Sequence, residues 1–215
     1  MPRKSKRPSI YVLAGTNGAG KSSVAGAAIR ARGADYFNPD EATRRIIEAN
    51  PGIDPQEANS QAWFQGKRLL EEAIASRLDY AFETTLGGNT IPALLERAHD
   101  AGSAVRVWYV GLEGPELHIA RVRARVAAGG HDIPEGKIRQ RYGRGRVNLI
   151  RLLPKLTELR VFDNSFDGDP LRGGAPKPLL VVTTLKGRIQ ETCAVADVPG
   201  WAKPIYAAVL RASVR

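Results

Sequence analysis

The 215 residues, 43% apolar and 25% charged, suit one soluble globular domain, alone or with a small appendage, and can bury a substantial core. No apolar run approaches the roughly 18 to 20 residues that span a bilayer. The basic start Met1–Pro8 runs into too short an apolar stretch for a secretory signal. Cys193 is the only cysteine, so an internal disulfide is excluded and a reducing cytoplasm is the expected compartment. The formal charge of +10 favours anionic partners: nucleotides, sugar phosphates, nucleic acids or acidic proteins.

Part of that charge sits on a basic arm (Arg3, Lys4, Lys6, Arg7) over residues 1–8. Ile10–Ala14 then reads as a buried strand, Lys21–Arg32 as an Ala-rich helix and Asp35–Asn38 as a short strand. Asn38-Pro39-Asp40-Glu41 has the grammar of a helix start, with a capping Asn and Pro in the first turn. Asp54-Pro55-Gln56-Glu57 repeats it and opens a long helix to about Leu78. Strands are expected at Asp79–Thr84, Ala104–Val110 and Leu159–Phe162, with helices at Thr90–Ala101, Pro115–Ala128 and from Ile133-Pro134 to about Leu153. Asn164–Lys177 reads as a loop, Leu179–Ala194 as a hairpin turning at Leu185-Lys186-Gly187, and Trp201–Ala212 as a closing helix. Strands alternating with helices imply a mostly parallel five-stranded sheet covered on both faces, in a three-layer α/β fold. The whole chain, 1–215, is expected to form one domain, with the hairpin and helix as its C-terminal part.

Gly15-Thr16-Asn17-Gly18-Ala19-Gly20-Lys21-Ser22 matches G-x-x-x-x-G-K-[ST] at every fixed position, with a strand before it and a helix after it. In such a P-loop the glycines let successive N–H groups point inward at phosphate oxygens, and the helix adds its positive end. Gly15, Thr16, Asn17, Gly18, Ala19, Gly20, Lys21, Ser22 and Ser23 are the expected nucleotide-binding residues. Lys21 reaches for the β and γ phosphates, and the Ser22 hydroxyl for Mg²⁺. No N/T-K-x-D segment for guanine and no LSGGQ-type signature occurs, so the expected nucleotide is ATP and the expected chemistry that of a small kinase or ATPase.

Phosphoryl transfer also needs acidic groups, which in an open sheet stand at the carboxyl ends of strands. Asp40 follows the second strand, where it could equally serve the helix dipole. Glu83 ends Tyr80-Ala81-Phe82-Glu83-Thr84-Thr85 and needs a partner or a metal if the strand is buried. Asp163 stands at the end of the fifth strand, where turn chemistry with Asn164-Ser165 is the competing role.

A second basic cluster, in residues 121–153, contains Arg121 and Arg125 at i, i+4, a glycine break at Gly129-Gly130-His131, then Lys137, Arg139, Arg141, Arg144 and Arg146. An arginine-dense helical hairpin before the fifth strand suits a lid over phosphates. A nucleic-acid surface and plain solvation stay open, because charge alone does not separate them.

Taken together, the P-loop with Ala14, Asn38-Pro39-Asp40, Glu72–Leu78, Phe82-Glu83-Thr84-Thr85, Arg125–Pro134 and Phe162-Asp163-Asn164 resemble the zeta toxin family of P-loop kinases, in particular its small zeta-toxin-like ATPases. The resemblance runs from about Ile10 to Asn164. It implies an adenylate-kinase-like core that transfers the ATP γ phosphate to a hydroxyl, in studied zeta toxins on UDP-N-acetylglucosamine; a protein antitoxin stays open as a partner. By position it implies Asp40 as catalytic base and Lys21 as the P-loop lysine. It also implies Glu72 at the acceptor sugar, Glu83 with Thr84 behind the catalytic centre, and Arg125 as the first of two phosphate-gripping arginines. The second falls near His131, which leaves Arg139 or Arg141 to replace it. Rival expectations are a nucleic-acid-directed P-loop kinase and a nucleotide-gated protein-binding module.

Overall fold

The computed structural model describes residues 7–26, 36–130, 132–166 and 178–213. Its centre is a seven-stranded sheet formed by β1 (Ser9–Ala14), β2 (Tyr36–Phe37), β3 (Tyr80–Thr84), β4 (Ala104–Gly111), β5 (Glu158–Asp163), β6 (Leu179–Leu185) and β7 (Arg188–Thr192). The order is β2-β3-β1-β4-β5-β6-β7, with the first five strands parallel and the last two antiparallel. From β1 the chain runs to β2 at the sheet edge, returns to β3 beside β1, and then crosses to β4 on the other side of β1. The carboxyl end of β1 is the topological switch point, where ligands of open α/β sheets bind.

The α-helices are α1 (Pro39–Ala49), α2 (Pro55–Ala75), α3 (Thr90–Asp100), α4 (Gly114–Ala127), α5 (Glu135–Leu152) and α6 (Lys203–Ser213). α1 and α2 begin as expected: Asn38 accepts from the Asp40 and Glu41 N–H groups, and Asp54 from those of Gln56 and Glu57. α2 stops at Ala75, short of the expected Leu78. Arg77 takes φ +57°, and the Leu78 N–H bonds Ala73 O while the Arg77 N–H bonds Ile74 O, a Schellman ending without glycine. Such an ending is hard to foresee, because an arginine fills the usual glycine position. The described start of the expected helix Lys21–Arg32 winds in wide π-type turns over Ser22–Gly26; residues 27–35, the arm residues Arg3, Lys4 and Lys6, and His131 lie outside the described residues.

Strand alternation divides the sheet's side chains between two faces. Ile10, Val12, Phe82, Val105, Val107, Leu159 and Val161 join residues of α2, α3, α5 and α6 in the larger core. Leu13, Ala81, Trp108 and Val110 pack with Ala19 and Val24 on the opposite face. The C-terminal hairpin does not stand apart. β6 pairs with β5, and Lys186 and Gly187, both at positive φ, close the turn to β7. Among the described residues no helix is long and apolar enough to cross a membrane.

Candidate active site

The P-loop leaves β1 through Gly15, whose φ of +144° and contact with the Val110 carbonyl exclude a side chain: a Cβ there would lie 2.1 Å from that oxygen. The Gly15 N–H bonds the Thr84 carbonyl at 3.2 Å, so the loop is seated between the ends of β3 and β4. Gly18 at φ +82° abuts the His118 carbonyl, and Gly20 at φ +79° abuts the Asn164 side chain. All three glycines thus serve close approach as well as curvature.

Two side chains clamp the loop. His118 on α4, only 1% exposed, contacts the Asn17 carbonyl through Nδ1 at 2.8 Å. A carbonyl can only accept, so the Nδ1 carries the proton. Burial, aided by the positive charges of Lys21, Arg121 and Arg146, pulls this imidazole down to about 4 against the opposing Asn17 bond, so it is neutral at physiological pH. From the other end, the Asn164 amide donates to the Ala19 carbonyl at 2.9 Å.

Glu83 collects the end of the loop. Alternation along β3 turns Phe82 into the larger core and Glu83 to the opposite face, beside Leu13 of β1. There its carboxylate accepts from Ser22 Oγ at 2.6 Å and from the Tyr36 hydroxyl, and Lys21 Nζ stands 4.0 Å away. Lys21 and Glu83 are 11% and 8% exposed, a buried charge pair with further hydrogen bonds. Thr84 next in line stabilises the turn, its hydroxyl accepting from the Leu86 N–H.

Asp40 stands in a different environment. In the first turn of α1, it faces α4 across the mouth of the site, and Arg125 Nη1 meets Oδ2 at 3.2 Å with side chains 38% and 51% exposed. Gly129, at φ +87°, and Gly130 form a second Schellman ending beneath Arg125 rather than a plain break. A Cβ on Gly130 would lie 2.7 Å from Arg125 Cγ, so that glycine also leaves room for the arginine's stem.

The two arginines proposed for the second phosphate contact separate. Arg141 is half-buried on the face of α5 that carries Gly145 and Asn148, and it donates to Asn17 Oδ1 at 2.8 Å. A Cβ on Gly145 would meet the Thr85 carbonyl at 2.8 Å, and Asn148 donates to the Leu86 and Gly88 carbonyls, so this face is pressed against the exit of β3. Burial draws the Arg141 guanidinium down from its ordinary value, with the Asp40 charge opposing. Arg139 instead points away, to Glu116 at the start of α4, and is exposed. Lys137 and Arg144 are exposed as well.

The other expected residues have different surroundings. Glu72 is exposed in the last turn of α2, and no hydrogen bond among the described residues ties it to the loop. Ser23 is exposed. Asp163 has the turn role: it accepts from Ser165 and, at 2.8 Å, from the Trp201 indole. His118, Tyr36, Asn148 and Trp201 were not singled out by the sequence.

The sequence model of the family described as Zeta toxin matches residues 1–165. Over 134 residues the chain is 31% identical to an uncharacterized protein of Haemophilus influenzae, covering 60% of this chain and 88% of that one. The PezAT toxin–antitoxin system of Streptococcus pneumoniae superposes with a TM-score of 0.60 at 16% identity, over 97% of this chain and 86% of that one. The AvrRxo1-ORF1:-ORF2 complex with ATP superposes with a TM-score of 0.65 at 16% identity, over 94% of this chain but 64% of that one. At these identities the two structures share the fold.

Proposed function

The chain belongs to the zeta toxin family, and we propose that it is an ATP-dependent kinase that passes the γ phosphate to a hydroxyl of a small molecule. The observation that carries this reading is the pairing of Asp40 with Arg125 at 3.2 Å, across 85 residues of chain, at the mouth of a complete P-loop. A base and a phosphate-gripping arginine brought together there are what a kinase needs and a plain nucleotide-binding module does not.

In the proposed reaction the loop N–H groups and Lys21 hold the β and γ phosphates. Arg125 leaves Asp40 for the γ-phosphate oxygens, freeing the carboxylate to face the acceptor. The acceptor oxygen bonds to the γ phosphorus, its proton passes to Asp40, and the bond from that phosphorus to the β–γ bridging oxygen breaks to release ADP. Arg141, already at the loop, takes the second phosphate contact in place of Arg139. Ser22 Oγ and the Glu83 carboxylate, hard oxygen donors meeting at 2.6 Å, fit Mg²⁺. Bound there, the ion would neutralise charge on the phosphates.

A UDP-amino sugar is the proposed acceptor, met by Asp40 and Glu72 with Glu83 and Thr84 behind the catalytic centre, in a cytoplasmic chain that forms one domain over 1–215, and the PezAT toxin–antitoxin neighbour supports a protein antitoxin as partner. The test is γ-labelled ATP and Mg²⁺ with UDP-sugars, nucleosides and RNA ends in parallel. Label on a UDP-sugar is the expected result; label on RNA ends alone would move the assignment to a nucleic-acid-directed kinase.

A further inference from the structure

We infer that Trp201, beyond the 1–165 stretch the family shares, is a positioning residue for the phosphate loop, acting through the turn Asp163-Asn164-Ser165. The proposal rests on the loop being a nucleotide site.

The C-terminal segment is wedged onto the ends of β4 and β5. The indole ring of Trp201 occupies the space a side chain on Gly111 would need, for a Cβ there would lie 2.3 Å from the ring. Its Nε1–H donates to Asp163 Oδ1 at 2.8 Å, and its carbonyl accepts from Arg146 at 3.2 Å. Asp163 is 6% exposed, so its carboxylate depends on such donors in place of water.

From Asp163 the connection continues into the loop. The Asp163 carboxylate accepts from Ser165 Oγ, and that oxygen accepts from the Glu113 N–H at 2.7 Å. The Asn164 N–H bonds the Gly111 carbonyl at 3.0 Å. With the turn fixed on both sides, the Asn164 amide reaches the Ala19 carbonyl at 2.9 Å and packs against Gly20, the residue before Lys21. The seat of Lys21 is thereby set in part by a side chain 180 positions away. Arg146 adds a second route, because its guanidinium lies 4.1 Å over the ring of Tyr142, which stacks edge-on with His118.

Trp201→Phe removes the Nε1–H together with part of the indole's bulk, so amide exchange in α3 is read as the control for packing of the core. The expected result is ATP binding weakened about tenfold, the scale of losing one hydrogen bond to a charged group, with faster amide exchange at 19–21 and unchanged exchange in α3. Asn164→Ala removes the other end of the connection and is expected to weaken ATP binding similarly. The double variant should be no weaker than Asn164→Ala alone, because both act through one turn. Additive losses, or unchanged affinity in Trp201→Phe, overturn the proposal. In the wild-type chain, which needs no variant to fold, the Trp201 indole N–H resonance should move on adding ATP, and an unmoved resonance at saturation also overturns it. A wild-type chain that binds no ATP overturns the nucleotide reading as well, which separates the two failures.

Discussion

The two acid–base pairs of the site differ in their surroundings. Glu83 with Lys21 is sealed, at 8% and 11% exposure, and held by Ser22 and Tyr36 besides. Asp40 with Arg125 is open, at 51% and 38%, between elements far apart in the chain. A sealed pair is costly to break, because removing one partner leaves a buried charge. An exposed pair is screened and contributes little to stability, so it can part and re-form during turnover. On the proposed function, the difference separates a fixed cradle for the donor phosphate from a movable contact at the acceptor.

The largest effect should come from the sealed side. Lys21→Ala is expected to lower phosphate transfer on the order of 10³-fold, the scale of removing one preorganised charge contact, and to weaken ATP binding in a titration. Unchanged turnover would break the assignment of the loop. On the open side, Asp40→Asn should leave ATP affinity close to wild type and reduce kcat on the order of 10²- to 10³-fold. Its unfolding free energy should change by less than about 1 kcal/mol. Equal losses in affinity and kcat would show that both pairs belong to one rigid unit.

A smaller effect tests the clamp that the sealed side depends on. The His118 imidazole is held at about 4, below the ordinary 6.5, so between these values the unfolded chain binds the proton and the folded chain does not. Stability is present in full above about pH 6.5 and falls as the pH drops toward 4. At about 1.4 kcal/mol per pH unit the total loss from this group is about 3 kcal/mol. Urea unfolding at pH 7 and pH 4.5 should show most of that slope in the wild type and lack this share in His118→Gln.

The parts legible in the sequence are those set by local chemistry. The P-loop, the Asn38 and Asp54 caps, the parallel strands and the Lys186-Gly187 turn follow from residues adjacent in the chain. Glu83 was legible too, because an acid after Tyr-Ala-Phe needs a partner. What did not show were contacts between distant segments: His118 to Asn17 spans 101 residues, and Trp201 to Asp163 spans 38. A lone histidine between Leu117 and Ile119 reads as core. The pairing of β6 with β5 was hidden for the same reason, since alternation marks a hairpin but not its neighbour.

The smallest effect separates two arginines that the sequence could not rank. Arg139 and Arg141 are two residues apart on one helix, so about 200° of rotation lies between them. Gly145 lets α5 press against Thr85, and that contact decides which arginine faces the loop. Arg141 then meets Asn17, while Arg139 pairs with Glu116 in solvent. Arg139→Ala should therefore leave stability close to wild type, and added salt should shrink even the small difference. Its ATP affinity should match wild type, whereas Arg141→Ala should weaken ATP binding several-fold in the same titration. Equal losses would mean that α5 turns when ATP binds, which would bring this helix onto the movable side of the comparison.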